Sequence, residues 1–182
     1  MDILNYSLQE LEIYLHGNGF KKFNARQIFE WVYKKDVTDF NQMSNLSKKL
    51  REFLLLNMKL SSLSVSSHQV SADGTEKFLF KLEDGNIIET VFMRHEYGNS
   101  VCVTTQLGCN IGCSFCASGL QQKKRNLLAS EIVLQVLEAQ KNTKERVSHV
   151  VVMGIGEPFD NYYFTITFVV DSKVYLMDVA CG

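Results

Sequence analysis

From Ser7 to about Asn57 the apolar residues recur three and four apart, the spacing of helices that bury one face. The segment opens on S-L-Q-E, in which Ser7 and Glu10 form a capping-box pattern, and is interrupted at Gly17 and Gly19. A second helix is predicted over 26–34 (RQIFEWVYK) and a third over 48–56 (KKLREFLLL), with Ser47 as its cap. Phe29, Trp31 and Tyr33 read as core residues. From Leu63 the period changes to two. LSVSSHQVS, KFLFKL and NIIETVFM are strand-like runs, and the intervening ADGT and EDG are turn signals that favour antiparallel hairpins. After Gly98 come a short strand (VCVTTQ), a loop, a helix over 129–141 (ASEIVLQVLEAQK) and an apolar strand (SHVVVMG). That order is a βαβ unit, so the fold class is α/β, and the loop after its first strand is where parallel α/β barrels keep their chemistry.

Composition narrows the class without naming a function. A chain of 182 residues with 46% hydrophobic content can bury the core of one ordinary domain or two small ones. The opening MDILNYSLQE has neither a basic flank nor an apolar stretch, and no run approaches the ~18 apolar residues of a membrane helix, so a cytoplasmic protein with no membrane partner is expected. Nineteen basic against twenty acidic residues leave a net charge of −1, so the chain lacks the basic excess usual for a nucleic-acid-binding domain. Any RNA contact is then local. Lys123, Lys124 and Arg125 in QQKKRN, with smaller groups at Lys21-Lys22 and Lys48-Lys49-x-Arg51, are candidate phosphate contacts, although runs of this size are more often solvated faces.

The chemistry concentrates in GCNIGCSFCASG, residues 108–119, where Cys109, Cys113 and Cys116 account for three of the five cysteines. In a reducing compartment such a cluster points to metal or catalysis rather than to disulfides. Three thiolates are one ligand short of a closed zinc site and one short of a fully ligated iron–sulfur cube. Read alone, Cys102 is a buried strand cysteine, Glu89 a surface glutamate and Gly154–Pro158 an ordinary turn.

The C-x3-C-x-aromatic-C spacing of Cys109, Cys113, Phe115 and Cys116 after a short strand resembles the signature of radical S-adenosylmethionine (SAM) enzymes. ETVFMRHEYGNSVCVTTQLGCNIGCSFCASG and HVVVMGIGEPFDNY, with GFKKFNARQIFEWVY and SADGTEKFLFKLEDG, resemble the RlmN family of RNA adenine-C2 methyltransferases over roughly 1–162. The resemblance implies that Cys109, Cys113 and Cys116 hold three irons of a [4Fe–4S] cluster, leaving the fourth iron to SAM. It implies that Gly156 and Glu157 belong to the SAM-binding G-E-P element, that Glu89 is the proton acceptor, and that Cys102 forms a transient disulfide with a second, methylatable cysteine. In the family that cysteine takes a methyl group from one SAM, and a 5′-deoxyadenosyl radical from another activates the methyl for addition to adenine C2. The implied partners are 23S rRNA, tRNA and an external electron donor such as flavodoxin or ferredoxin, met by a monomer.

On this resemblance the chain divides into a helical accessory domain of RNA-binding type (1–60), a hairpin region (61–98), the start of a radical SAM (β/α)6 partial barrel (99–160) and a divergent tail (161–182). A single βα unit and its following strand are expected, which makes the barrel incomplete, the product of truncation or internal deletion, and the chain by itself inactive. The ending Asp178-Val179-Ala180-Cys181-Gly182 resembles the family's D-A-A-C-G terminus, making Cys181 the candidate second cysteine. Two other readings stay open. One is the C8-methylating, Cfr-type resistance branch, against which Pro158 counts. The other is a non-catalytic zinc or iron–sulfur module in which Cys102 or His95 is the fourth ligand.

Overall fold

The structure is a computed structural model that describes residues 1–35, 37–175 and 178–180, those after 169 by their backbone alone. Three helices, α1 (Leu8–Gly17), α2 (Phe23–Lys35) and α3 (Lys48–Asn57), fill the first third of the chain. Their starts follow the capping residues. Ser7 Oγ accepts from the Glu10 amide at 3.3 Å while Glu10 returns a bond to the Ser7 amide at 2.8 Å, and Ser47 Oγ accepts from the Leu50 amide at 3.2 Å. The apolar faces meet in a core of Leu11, Leu15, Ile28, Phe29, Leu50 and Leu54, all essentially excluded from solvent. Tyr33 joins that core, whereas Trp31 is half-buried and donates its indole N–H to Asn45 at 2.5 Å.

The helical segment is tied to the rest at its own beginning. The buried Asp2 carboxylate accepts from the amides of Leu4 (2.8 Å) and Ser61 (2.9 Å), and Asn5 accepts from the Ser130 amide at 2.9 Å. These bonds seat the N-terminal turn against the start of the helix that follows the cysteine loop, where the first amides of a helix lack partners of their own.

One mixed sheet carries the remainder. Its strands are β1 (Ser64–Val70), β2 (Glu76–Lys81), β3 (Ile87–Met93), β4 (Ser100–Cys102), β7 (His149–Val151) and β8 (Asp178–Ala180), in the order β1-β2-β3-β4-β7-β8. A second ladder of two short strands, β5 (Gln106–Leu107) and β6 (Arg125–Asn126), stands beside it. The pairs from β1 to β4 are antiparallel, and β4–β7 and β7–β8 are parallel. Because β3 pairs with β4, the hairpins and the βαβ unit share one sheet. Helices α4 (Ala129–Thr143) and α5 (Tyr162–Tyr175) make the crossovers β4–α4–β7 and β7–α5–β8. Ile132, Val133 and Val136 of α4 are buried in the same core as Phe92, Val101, Val103 and Val150.

Two sequence expectations are corrected. VCVTTQ, predicted as one strand, stops at Cys102, because a side chain of α4 takes the place of a neighbouring strand at Thr104. Gln135 accepts from the Thr104 amide at 2.8 Å and donates to the Thr104 carbonyl at 2.9 Å, while Thr104 Oγ1 donates to the Glu89 carbonyl at 2.7 Å. The second correction concerns the residues after the G-E-P turn. Where a single βα unit is expected, α5 and β8 form another, with β8 parallel to β7.

Candidate functional site

The cysteine loop leaves the sheet just beyond the diversion at Thr104 and is closed at its neck by the β5–β6 ladder, in which Gln106 faces Asn126 and Leu107 faces Arg125. Closure continues past the ladder: Lys124 donates its amide to Leu107 O at 2.7 Å, and Cys109 donates to Gln121 O at 3.0 Å. Gly108, at φ +78°, is where the two arms press together, since a Cβ there would stand 2.3 Å from the Gln122 carbonyl oxygen.

Within the loop Cys109 is half-buried and Cys113 and Cys116 are exposed. The Cys116 thiol is held below its ordinary pKa by the Ser118 hydroxyl first, then by the Ser118 and Gly119 amides. Among the described residues no three His, Cys, Asp or Glu side chains stand together at metal-ligating separations. The donor set nonetheless suits a thiolate-ligated group. All three thiols are carried on one short loop with no carboxylate or imidazole among residues 108–119, and amides and a hydroxyl favour the anionic sulfur of Cys116.

Glu89 and Cys102 stand on one face of the sheet. The register pairs Cys102 with Val91, two residues from Glu89, while Thr90, Phe92, Val101 and Val103 take the buried opposite face towards α4. Burial pushes the Cys102 thiol up, the Glu89 charge adds to that rise, and a hydrogen bond with the Met153 backbone opposes it. Cys102 is a free thiol. The Glu89 carboxylate is partly exposed and pairs with Lys77 Nζ at 3.2 Å. His95 lies near the other end of β4, with Nε2 3.0 Å from Ser100 Oγ and its ring stacked on Tyr97. Cys181 lies outside the described residues.

The turn holding Gly156 and Glu157 is pressed onto residues 103–106. Gly154 donates to Val103 O at 3.0 Å, Thr105 donates to Ile155 O at 3.0 Å, and Glu157 donates its amide to Gln106 Oε1 at 2.9 Å. A Cβ on Gly154 would lie 2.5 Å from Val103 O, and one on Gly156, at φ +109°, would lie 2.6 Å from Gln106 Cβ. Contact with the Val103 backbone thus demands glycine at 154, and the Gln106 side chain together with the positive φ demands it at 156. The Glu157 carboxylate accepts from the Phe159 amide at 3.0 Å and so caps the turn that follows. Between the β2–β3 turn, the loop neck and this turn lies an open cleft of about 650 Å³, lined in part by Ile87, Thr104, Gln106, Gly108, Lys124 and Ile155.

The basic run after the cysteines works inside the molecule. Lys123 pairs with Asp160 at 2.6 Å, and Arg125 bridges Asp84 at 2.6 Å and Glu131 at 2.7 Å. Pattern reasoning missed Gln106, Gln135 and Asn161, three buried amides that bind the loop neck, the strand break and the turn. The Asn161 amide donates to the carbonyls of both Thr105 and Leu127, each at 2.9 Å. The one available signal was Thr104-Thr105-Gln106, a polar interruption of an apolar run.

Residues 1–60 match the family model for the ribosomal RNA large subunit methyltransferase N-terminal domain. The chain is 60% identical over 163 residues to a "Probable dual-specificity RNA methyltransferase RlmN" of Bacillus velezensis, covering 88% of this chain and 45% of that protein. A protein of the same name from Geobacillus kaustophilus is 57% identical over 169 residues, covering 91% of this chain and 46% of its own length. By sequence, the chain is similar to RlmN proteins along about nine-tenths of its own length. It spans a little under half the length of these RlmN relatives. In three dimensions it resembles the crystal structure of a radical SAM methyltransferase from Sphaerobacter thermophilus, with a TM-score of 0.83 at 39% identity, over 94% of this chain and 52% of that one. The sequence relatives are named as RNA methyltransferases and the structural neighbour as a radical SAM methyltransferase, and the cysteine loop described above falls within the matched region.

Proposed function

We propose that this chain carries the cofactor-binding part of a radical SAM methyltransferase that modifies C2 of adenosine in 23S rRNA and tRNA. The observation that carries the reading is an arrangement: three thiols on a loop closed at the end of β4, Glu89 and Cys102 on one adjoining sheet face, and the Gly156–Glu157 turn pinned to the loop neck. Cys109, Cys113 and Cys116 would hold a [4Fe–4S] cluster, and Gly156 and Glu157 would meet the amino group of SAM, for which a carboxylate is the fitting partner. Bound there, cluster and SAM would supply a one-electron route to a carbon that is neither acidic nor nucleophilic.

The remaining roles fall to the chain's own groups. Glu89 would accept the C2 proton, which requires its carboxylate to part from Lys77. Cys102, kept protonated by burial, would be held in reserve for a bond to a second cysteine, for which Cys181 is the candidate. In this reading residues 1–60 are the RNA-binding accessory domain, β4–α4–β7–α5–β8 opens the partial barrel, the electron donor is a separate flavodoxin or ferredoxin, and the protein works as a cytoplasmic monomer. Among the described residues no helix is long and apolar enough to cross a membrane.

Radical chemistry needs a site that positions its groups and excludes water, and misplacement by ~1 Å can cost ~100-fold in rate. We therefore expect the 182-residue polypeptide alone to leave RNA unmethylated, and a version continued with the later part of a Bacillus relative to be active. Incubation with SAM, reductant, 23S rRNA and tRNA, followed by mass spectrometry of the digested RNA, should give 2-methyladenosine from the continued protein only. Product from the 182-residue polypeptide would refute the incompleteness, and 8-methyladenosine from the continued one would move the protein to the C8 branch.

A further inference from the structure

Gln106 is fully buried, yet its side-chain amide joins three separate segments. Oε1 accepts from the Glu157 amide at 2.9 Å, while Nε2 donates to Asn126 Oδ1 at 2.8 Å and to Asp160 Oδ2 at 3.0 Å. The path runs on from Asp160 to Lys123 Nζ at 2.6 Å, and the Lys123 amide donates to Asn110 Oδ1 at 3.0 Å, between Cys109 and Cys113. Asn126 closes a second route by donating to Asp160 O at 3.2 Å. A chain of hydrogen bonds, with the Lys123 side chain as one covalent link, therefore leads from the Glu157 amide, through Gln106, into the cysteine loop. No other amino acid reproduces this. One acceptor and two donors on a planar group are needed at once, and Glu, the isostere, offers only acceptors when ionised. Buried groups left without partners would each be costly, which gives the network one preferred arrangement.

We infer that Gln106 is a positioning residue that sets the cysteine loop against the Gly156–Glu157 turn, so that the two halves of the candidate site move as one unit. The inference that this matters for a cluster rests on the function proposed above; the mechanical coupling itself does not. Gly156 belongs to the same device, because Gln106 Cβ occupies the space that a side chain there would need. Backbone bonds such as Gly154 to Val103 O and the Asn161 amide also hold the turn against residues 103–105, and Gln106 adds the side-chain link from the Glu157 amide to Asn126 on the returning arm of the loop.

The test compares the wild-type 182-residue chain with Gln106→Leu, Gln106→Glu and Lys123→Met. Lys123→Met replaces a side chain at the loop's outer edge and keeps the core intact, so it remains informative if a Gln106 variant fails to fold. In the metal-free proteins, hydrogen exchange read by mass spectrometry should accelerate about tenfold or more in peptides covering 108–124 and 154–161 together for both Gln106 variants. For Lys123→Met it should accelerate in 108–124, and in all three variants α1–α3 should keep wild-type protection. After anaerobic reconstitution, the electron paramagnetic resonance line shape of the reduced cluster should change in Gln106→Leu at unchanged iron content, and iron release to a chelator should be several-fold faster. Exchange that stays at wild-type rates in 108–124, or that rises in one segment without the other for the Gln106 variants, overturns the coupling. An unchanged line shape and release rate overturn its bearing on the cluster. Wild-type protein that takes up no iron would defeat the proposed function while leaving the exchange result to judge Gln106.

Discussion

Two thiols separated by fourteen positions have opposite environments. Burial raises the pKa of Cys102, while hydrogen bonds from Ser118 and Gly119 lower that of Cys116. The thiolate is the reactive form, so at any pH below the ordinary thiol pKa of 9.0 a larger share of Cys116 than of Cys102 is nucleophilic. Iodoacetamide applied to the metal-free chain near neutral pH should label Cys116 several-fold faster than Cys102, as read by peptide mass spectrometry, and the gap should narrow as the pH is raised past 9. Equal rates at neutral pH would contradict the environments described here. The grouping of Cys109, Cys113 and Cys116 on one loop was legible because the three thiols are close neighbours in the chain. Gln106 was not, because its partner Glu157 lies 51 residues away and no short motif records the pairing.

At the scale of elements, the helices that begin with their own caps were readable from Ser7, Glu10 and Ser47, since a cap and its helix are contiguous. The hairpins were readable for the same reason at ADGT and EDG. The end of β4 was hidden because the group that ends it comes from another element. Gln135, 31 residues beyond Thr104, satisfies the amide and carbonyl that a neighbouring strand would otherwise pair. Gln135→Leu keeps much of the volume and leaves both Thr104 backbone groups and the Thr90 hydroxyl without their Gln135 partner in the core. On the order of 3 kcal/mol or more of stability should be lost, since each unsatisfied buried group costs about 1–3 kcal/mol. Urea denaturation measures it, and a loss below about 1 kcal/mol would mean that water or relaxation satisfies Thr104.

For the whole molecule, two of the three cations in the densest basic run are paired internally. Lys123 pairs with Asp160 and Arg125 with Asp84 and Glu131, which knits the loop exit to the β2–β3 turn and to α4. The sheet order joins hairpins and βαβ unit in one sheet, and the Gly156–Glu157 turn is bonded to Gln106 at the neck of the cysteine loop. Cys109, Cys113 and Cys116 are proposed to hold a cube with one open iron. Anaerobic reconstitution with iron and sulfide, followed by metal and sulfide analysis, tests it most directly. Brown, oxygen-sensitive protein with about four irons and four sulfides per chain is the expected result. Alanine at Cys109, Cys113 or Cys116 should abolish binding, and Cys102→Ala should keep the full iron content. Colourless protein with stoichiometric zinc and no cluster, or equal iron loss from all four variants, would contradict the account.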